Sequence, residues 1–192
     1  MYCQHVIITI MISLYVTQYP DFSFVQGWFG TRDLTITDKG EMKMDSYEQY
    51  EQDCARIRKE NEKTLGEFEK WLSDKKLSSK TVANHRDNVD FYINEFLLYE
   101  EAQEASEGID NINYFLGFWF IKKATWASKS SIKNNATSIK KFYEFMHEKG
   151  IVDAYAYNEL KEEMKENMQD WLDTMDRYDD PAIEDMEEVW GL

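Results

Sequence analysis

The chain has 192 residues, enough for one domain of about 130–150 residues plus extensions, a size that buries a core without disulfides or metals. Apolar residues make up 43% and aromatics 15%, which excludes wholesale disorder. A net charge of −15 excludes strong, non-specific nucleic-acid binding by the chain as a whole.

The charge is unevenly spread. Residues 1–43 are close to neutral, residues 44–121 carry −8, residues 122–149 carry +5 and residues 150–192 carry −11. A single basic island is followed by an acidic tail, so a local contact with a polyanion stays open. Cys3 and Cys54 provide neither a disulfide framework nor metal-ligand spacing, and suit a reducing cytoplasm. His5, His85 and His147 are far apart, so no metal or other cofactor is expected.

Residues 1–43 read as a poorly organised extension. The apolar run Val6 to Val16 is shorter than the roughly 20 residues of a membrane-spanning helix. No basic residue precedes it and no clear cleavage site follows, as a signal peptide requires. Two explanations remain: a reading frame extended upstream of its true start, or a genuine N-terminal strand or membrane-proximal segment. No membrane partner is expected.

From residue 44 the spacing predicts helices. Prolines occur only at Pro20 and Pro181, which leaves a long stretch without a helix breaker. Tyr47, Tyr50, Cys54, Ile57, Leu65, Phe68, Trp71 and Leu72 recur at steps of three and four, predicting a first helix over 45–73. Ser78 or Ser79 caps a second helix with Val82, His85, Val89, Tyr92, Ile93, Phe96 and Tyr99 on one face, ended by the polar stretch 100–108. Asp110 caps a third over 112–124, apolar nearly all round and therefore a core element. Ser128 or Ser130 opens a fourth, with Ile132, Ala136, Ile139, Tyr143 and Met146 inward and Gly150 as its stop. Asp153 caps a fifth, closed by Asp179-Asp180-Pro181. The expected fold is all-α, a compact bundle of about five helices over 44–178, with an acidic tail over 179–192.

Two segments carry a family pattern. One is Phe68-Glu69-Lys70-Trp71-Leu72, a short polar spacer, then Leu77-Ser78-Ser79-Lys80-Thr81-Val82-Ala83-Asn84-His85. The other runs from Ser130 to Met146 through Phe142-Tyr143-Glu144-Phe145 and ends at Gly150. Together they resemble the N-terminal SAM-like core-binding domain of the tyrosine recombinases (phage integrases), over roughly residues 60–170. His85 stands where that family commonly has tyrosine, and no Asn-Pro follows Ile151.

The resemblance implies a module that closes over one side of double-stranded DNA with its second and fourth helices. Carried over by position, the implied DNA contacts are Lys80, Asn84 and Arg86 on the second helix, and Lys129, Lys133, Lys140 and Lys141 on the fourth. The family's catalytic domain would lie C-terminal, where only a short acidic stretch follows Gly150. No His-x-x-Arg occurs, and a tyrosine without a positioned base and charge stabilisation is a poor nucleophile. The expectation is a non-enzymatic, cytoplasmic DNA-binding module with no small-molecule substrate, accessory to or left over from DNA integration or recombination. The alternative is a protein-interaction or dimerisation module, pairing with itself or a recombinase through the apolar faces and the acidic last helix.

Helical geometry sharpens the candidate site. With Ile132 at zero and ~100° per residue, Lys129, Lys133 and Lys140 fall at about 60–100°, beside the buried face, and Lys141 near 180°. Glu144, near 120°, weakens the stripe. The competing reading is a solvated face whose lysines shield apolar surface. Lys122 and Lys123 suit the negative end of a helix dipole. His85 reads as a core or boundary histidine, and Trp71, Trp119, Trp126 and Trp171 as core or core-edge residues. The carboxylate pairs from Glu162 to Glu188 read as a solvated acidic surface, or as a competitor for the lysine stripe.

Overall fold

The computed structural model describes residues 46–183 and 185–191, so the apolar run Val6–Val16, the rest of the N-terminal extension and Glu184 lie outside the described residues. The described chain is all-α.

Helix α1 (Ser46–Asp74) buries Cys54, Ile57, Asn61, Leu65, Phe68 and Leu72, most of the face that the spacing predicts, whereas Tyr47, placed on that face, is exposed. Its first half packs Cys54 and Ile57 on Leu98 in a small satellite cluster, and Tyr50 donates to the Leu98 carbonyl at 2.5 Å. Lys76 then takes a left-handed conformation (φ 63°), and the chain turns sharply into the next helix.

Helix α2 (Ser79–Asp90) is capped by Ser78, whose hydroxyl accepts from the Thr81 amide. It does not stop at its C-terminus. The chain widens into a π-helical turn, Phe91–Phe96, closed by the Leu97 amide donating to the Tyr92 carbonyl.

The third helix, α3, is composite. A 3-10 turn (Gly108–Asn111) leads into an α turn (Ile112–Tyr114), a π segment (Phe115–Trp119) and a last α turn (Phe120–Lys123). The predicted Asp110 cap is therefore corrected: the element starts earlier, and no side chain caps it at either Glu107 or Asn111. Its core role holds, with Ile112, Phe115, Leu116, Trp119, Phe120 and Ile121 all buried.

Helix α4 (Lys129–Glu148) opens on a capping box, in which Ser128 accepts from the Ser131 amide and Ser131 returns the bond to Ser128. Gly150 ends it with φ 72°, a conformation in which a side chain would be strained. Helix α5 (Ala154–Asp179) is capped by Asp153. The acidic tail is not a loose appendage. A short helix, α6 (Met186–Trp190), folds back on α5, buries Val189 and lays Trp190 against Phe118, with ring centroids 4.5 Å apart. Arg177 secures it by donating to the Val189 carbonyl.

Helix α2 lies between α1 and α4, and α4 between α2 and α5. Aromatic rings fill the centre. Phe68 meets Phe142 edge-on at 5.5 Å, and Phe115 touches Tyr92 at 4.8 Å and Phe96 at 4.9 Å. Buried phenols have partners: Tyr143 donates to the Ala105 carbonyl at 2.9 Å and Tyr92 to that of Gly108. The first holds the 99–107 loop, and the second the start of α3, onto the core.

Where α3 crosses α5, Gly117 admits the Trp171 indole. A Cβ there would lie 2.9 Å from Trp171 Cδ1, and that fully buried ring has no room to retreat. Gly117→Ala is expected to cost about 1–3 kcal/mol, the usual penalty of overpacking, despite the better helix propensity of alanine. A urea melt of the variant measures it.

Candidate nucleic-acid interface

Helices α2 and α4 run antiparallel. Phe91, at the end of α2, meets Trp126, just before α4, at 5.3 Å. Lys75, just before α2, reaches Glu144 and Glu148 at the end of α4. Between these ends, polar groups join the two helices. Ser138 Oγ lies 2.8 Å from His85 Nδ1, accepts from Asn88 Nδ2 at 2.9 Å, and donates to the Asn134 carbonyl at 2.8 Å.

This network fixes the register of the two helices and has no nucleophilic use. Ser138 is fully buried and its hydroxyl is already engaged. It is also the feature that the sequence reading lacked. A serine inside an apolar helix face was the available sign, but its partner lies 53 residues away.

The candidate contacts divide into two groups. Arg86 turns toward α1, where Glu62 (3.2 Å) and Glu69 (3.5 Å) neutralise it. Lys129 is paired with Asp176 of α5. These two are held by the chain's own carboxylates. Lys80, Asn84, Lys133 and Lys140 are exposed, Lys141 is half-buried beside His85, and none of the four lysines has an ion-pair partner among the described residues.

The carboxylates of the same two helices are mostly occupied. Lys75 binds Glu144 at 3.2 Å and Glu148 at 3.0 Å, and Glu148 also accepts from the Trp71 indole at 2.6 Å. Glu144, placed in the stripe by helical geometry, is thus compensated from α1. Asp90 accepts from Asn94. Asp87 remains on the outer face of α2, seven residues and so about 20° from Lys80. No ion pair joins the described part of the tail to this face, and α6 is packed on α5.

Burial lowers the His85 pKa, and the neighbouring Lys141 ammonium adds to the effect. The sign follows. The unfolded chain takes up this proton first, so stability declines as pH falls through the unfolded value, about 6.5, and levels off below the lowered folded value. His85→Gln is expected to flatten that part of the curve, read as urea midpoints against pH.

Other assignments fall out as follows. Lys123 donates to the Tyr99 hydroxyl at 3.0 Å, and Lys122 lies over the Phe118 ring. Trp126 is 59% exposed, so its core-edge assignment is corrected: one edge rests on Phe91 and the rest faces solvent. Trp171 and Met175 are buried within this chain and offer no apolar face to a second copy. Asp110, Glu159 and Glu163 line a cavity where burial, then Asp110, raises the Glu163 pKa. Glu163→Gln should therefore stabilise the fold at neutral pH, on the order of 0.5 kcal/mol, read as a higher melting temperature.

Comparison with protein-family models, with curated proteins and with solved structures returns no match. Among the described residues no helix is long and apolar enough to cross a membrane, and no cluster of His, Cys, Asp or Glu is arranged to hold a metal ion.

Proposed function

We propose that this domain is a non-catalytic module that grips double-stranded DNA through the outer face of α2 and α4, accessory to or left over from DNA integration or recombination. One observation carries the reading. Among the described residues, Lys80, Lys133, Lys140 and Lys141 lack carboxylate partners and share two helices whose own carboxylates are mostly engaged elsewhere.

The spacing suits a phosphate track. Lys133 and Lys140 are seven residues apart, about 10 Å along the axis at ~1.5 Å per residue. Asn84, Asn134 and Thr137, exposed beside them, supply neutral polar groups for the backbone or base edges. The acidity of the rest of the molecule is screened beyond roughly 8–10 Å at physiological salt, so the local face decides contact. The resemblance of residues 60–170 to the recombinase module, which implies contact through the second and fourth helices, supports the same reading.

Fluorescence anisotropy of a labelled duplex titrated with the full chain tests the proposal. At low ionic strength the expected dissociation constant is on the order of 10 μM, within the usual non-specific range. The absence of binding at protein concentrations well above that range would remove it. The DNA should also remain unnicked after prolonged incubation.

A further inference from the structure

A second site lies away from the lysine face. Phe96, Tyr99, Tyr114 and Trp119, with the carboxylates of Glu100 and Glu101, line an open cavity of about 150 Å³. Trp119 meets Tyr99 at 5.6 Å and 73°, and Phe96 at 5.3 Å and 65°, so ring faces and edges converge on the space between them. Tyr99 and Tyr114 are about half exposed.

Two further observations point to a ligand. Both π-helical segments border the cavity: Phe96 ends one and Trp119 ends the other. Such turns are rare in helices and are frequent at functional sites. The Trp119 indole N–H is buried and has no hydrogen-bond partner, a costly state in a native core unless something else accepts from it. At the rim, the Lys123 ammonium donates to the Tyr99 hydroxyl at 3.0 Å.

Aromatic faces with carboxylates at the rim are the recognition chemistry of organic cations. We propose that this cavity binds a small quaternary ammonium of the choline type, with Tyr99, Tyr114 and Trp119 around the cation and Glu100 and Glu101 supplying the countercharge. Lys123 competes with it from within the chain. The proposal is independent of DNA binding.

The test follows the Trp119 indole resonance of the full chain by NMR during titration with choline chloride. A saturable shift in the millimolar range is expected, with no response to the neutral isostere in which carbon replaces the nitrogen. Tyr99→Ala and Tyr114→Ala, both at exposed positions, should weaken binding about tenfold. Glu100→Gln should weaken it several-fold, and Lys123→Gln should tighten it. Circular dichroism verifies that each variant is folded. Sedimentation with phosphatidylcholine but not phosphatidylglycerol vesicles would assign the cation to a lipid head group, whereas a shift with choline and no sedimentation would assign it to a free solute. No shift with choline, or an equal response to the isostere, overturns the proposal.

Discussion

Reversing charge at Lys133 and Lys140 together is expected to weaken duplex binding by about 100-fold at low salt, at roughly tenfold, or ~1.4 kcal/mol, for each reversal. Both side chains are exposed and have no ion-pair partner among the described residues, so their replacement by glutamate leaves the bundle intact. Each change removes an attraction to phosphate and adds a repulsion. With two of four contacts gone, the dependence of log K on log salt should halve. Lys165→Glu on α5, a fully solvated lysine paired only with Glu162 of its own helix, supplies the control of equal charge. If the control weakens binding as much as the α4 variants do, the lysine face has no special role. Arg86 and Lys129 should behave differently from the free lysines. Their charges are already met by Glu62, Glu69 and Asp176, so neutralising them should change stability more than affinity.

Trp171→Ala should be the most damaging single substitution for stability, at about 3–5 kcal/mol. The ring is fully buried, and its N–H donates to Asn113 Oδ1 at 2.7 Å. Removing it leaves a cavity beside Gly117 and strips the Asn113 oxygen of its donor. Native domains are stable by only about 5–15 kcal/mol, so this loss is a large share of the total. The same variant separates the two functional readings. A buried core residue changes the unfolding midpoint and leaves the oligomeric state alone. If sedimentation instead showed a dimer falling apart, with the midpoint of the monomer unchanged, the interaction reading would regain its ground.

The parts of this fold that could be read from the sequence are those set by neighbours along the chain. Ser78, Asp153 and Gly150 end or open helices at the expected places, because capping depends on residues three or four positions away. The inward face of α4 follows from its periodicity. The π segments do not. Phe91–Phe96 and Phe115–Trp119 are rich in apolar residues, and a wider turn leaves no mark in such runs. The same limit hid the aromatic cavity, whose walls come from both segments. Composition set the acidic tail apart at residue 179, yet Val189 and Trp190 were enough to dock it.

The candidate site divides along the same line. The lysines of α4 and their side of the helix follow from spacing. Which of them remain free does not, because the Arg86–Glu62 and Lys129–Asp176 pairs join residues 24 and 47 positions apart. Compensation of Glu144 by Lys75, across 69 positions, was equally out of reach. The His85–Ser138 contact that sets the helices side by side belongs to the same class.

The salt dependence of duplex binding by the full chain addresses the central claim most directly, because counterion release counts the phosphates engaged. Four lysines in contact predict a slope of log K against log salt of about −3.6, at roughly −0.9 for each phosphate. A slope near zero would contradict the account, since the association would then owe nothing to the ammonium groups of α2 and α4.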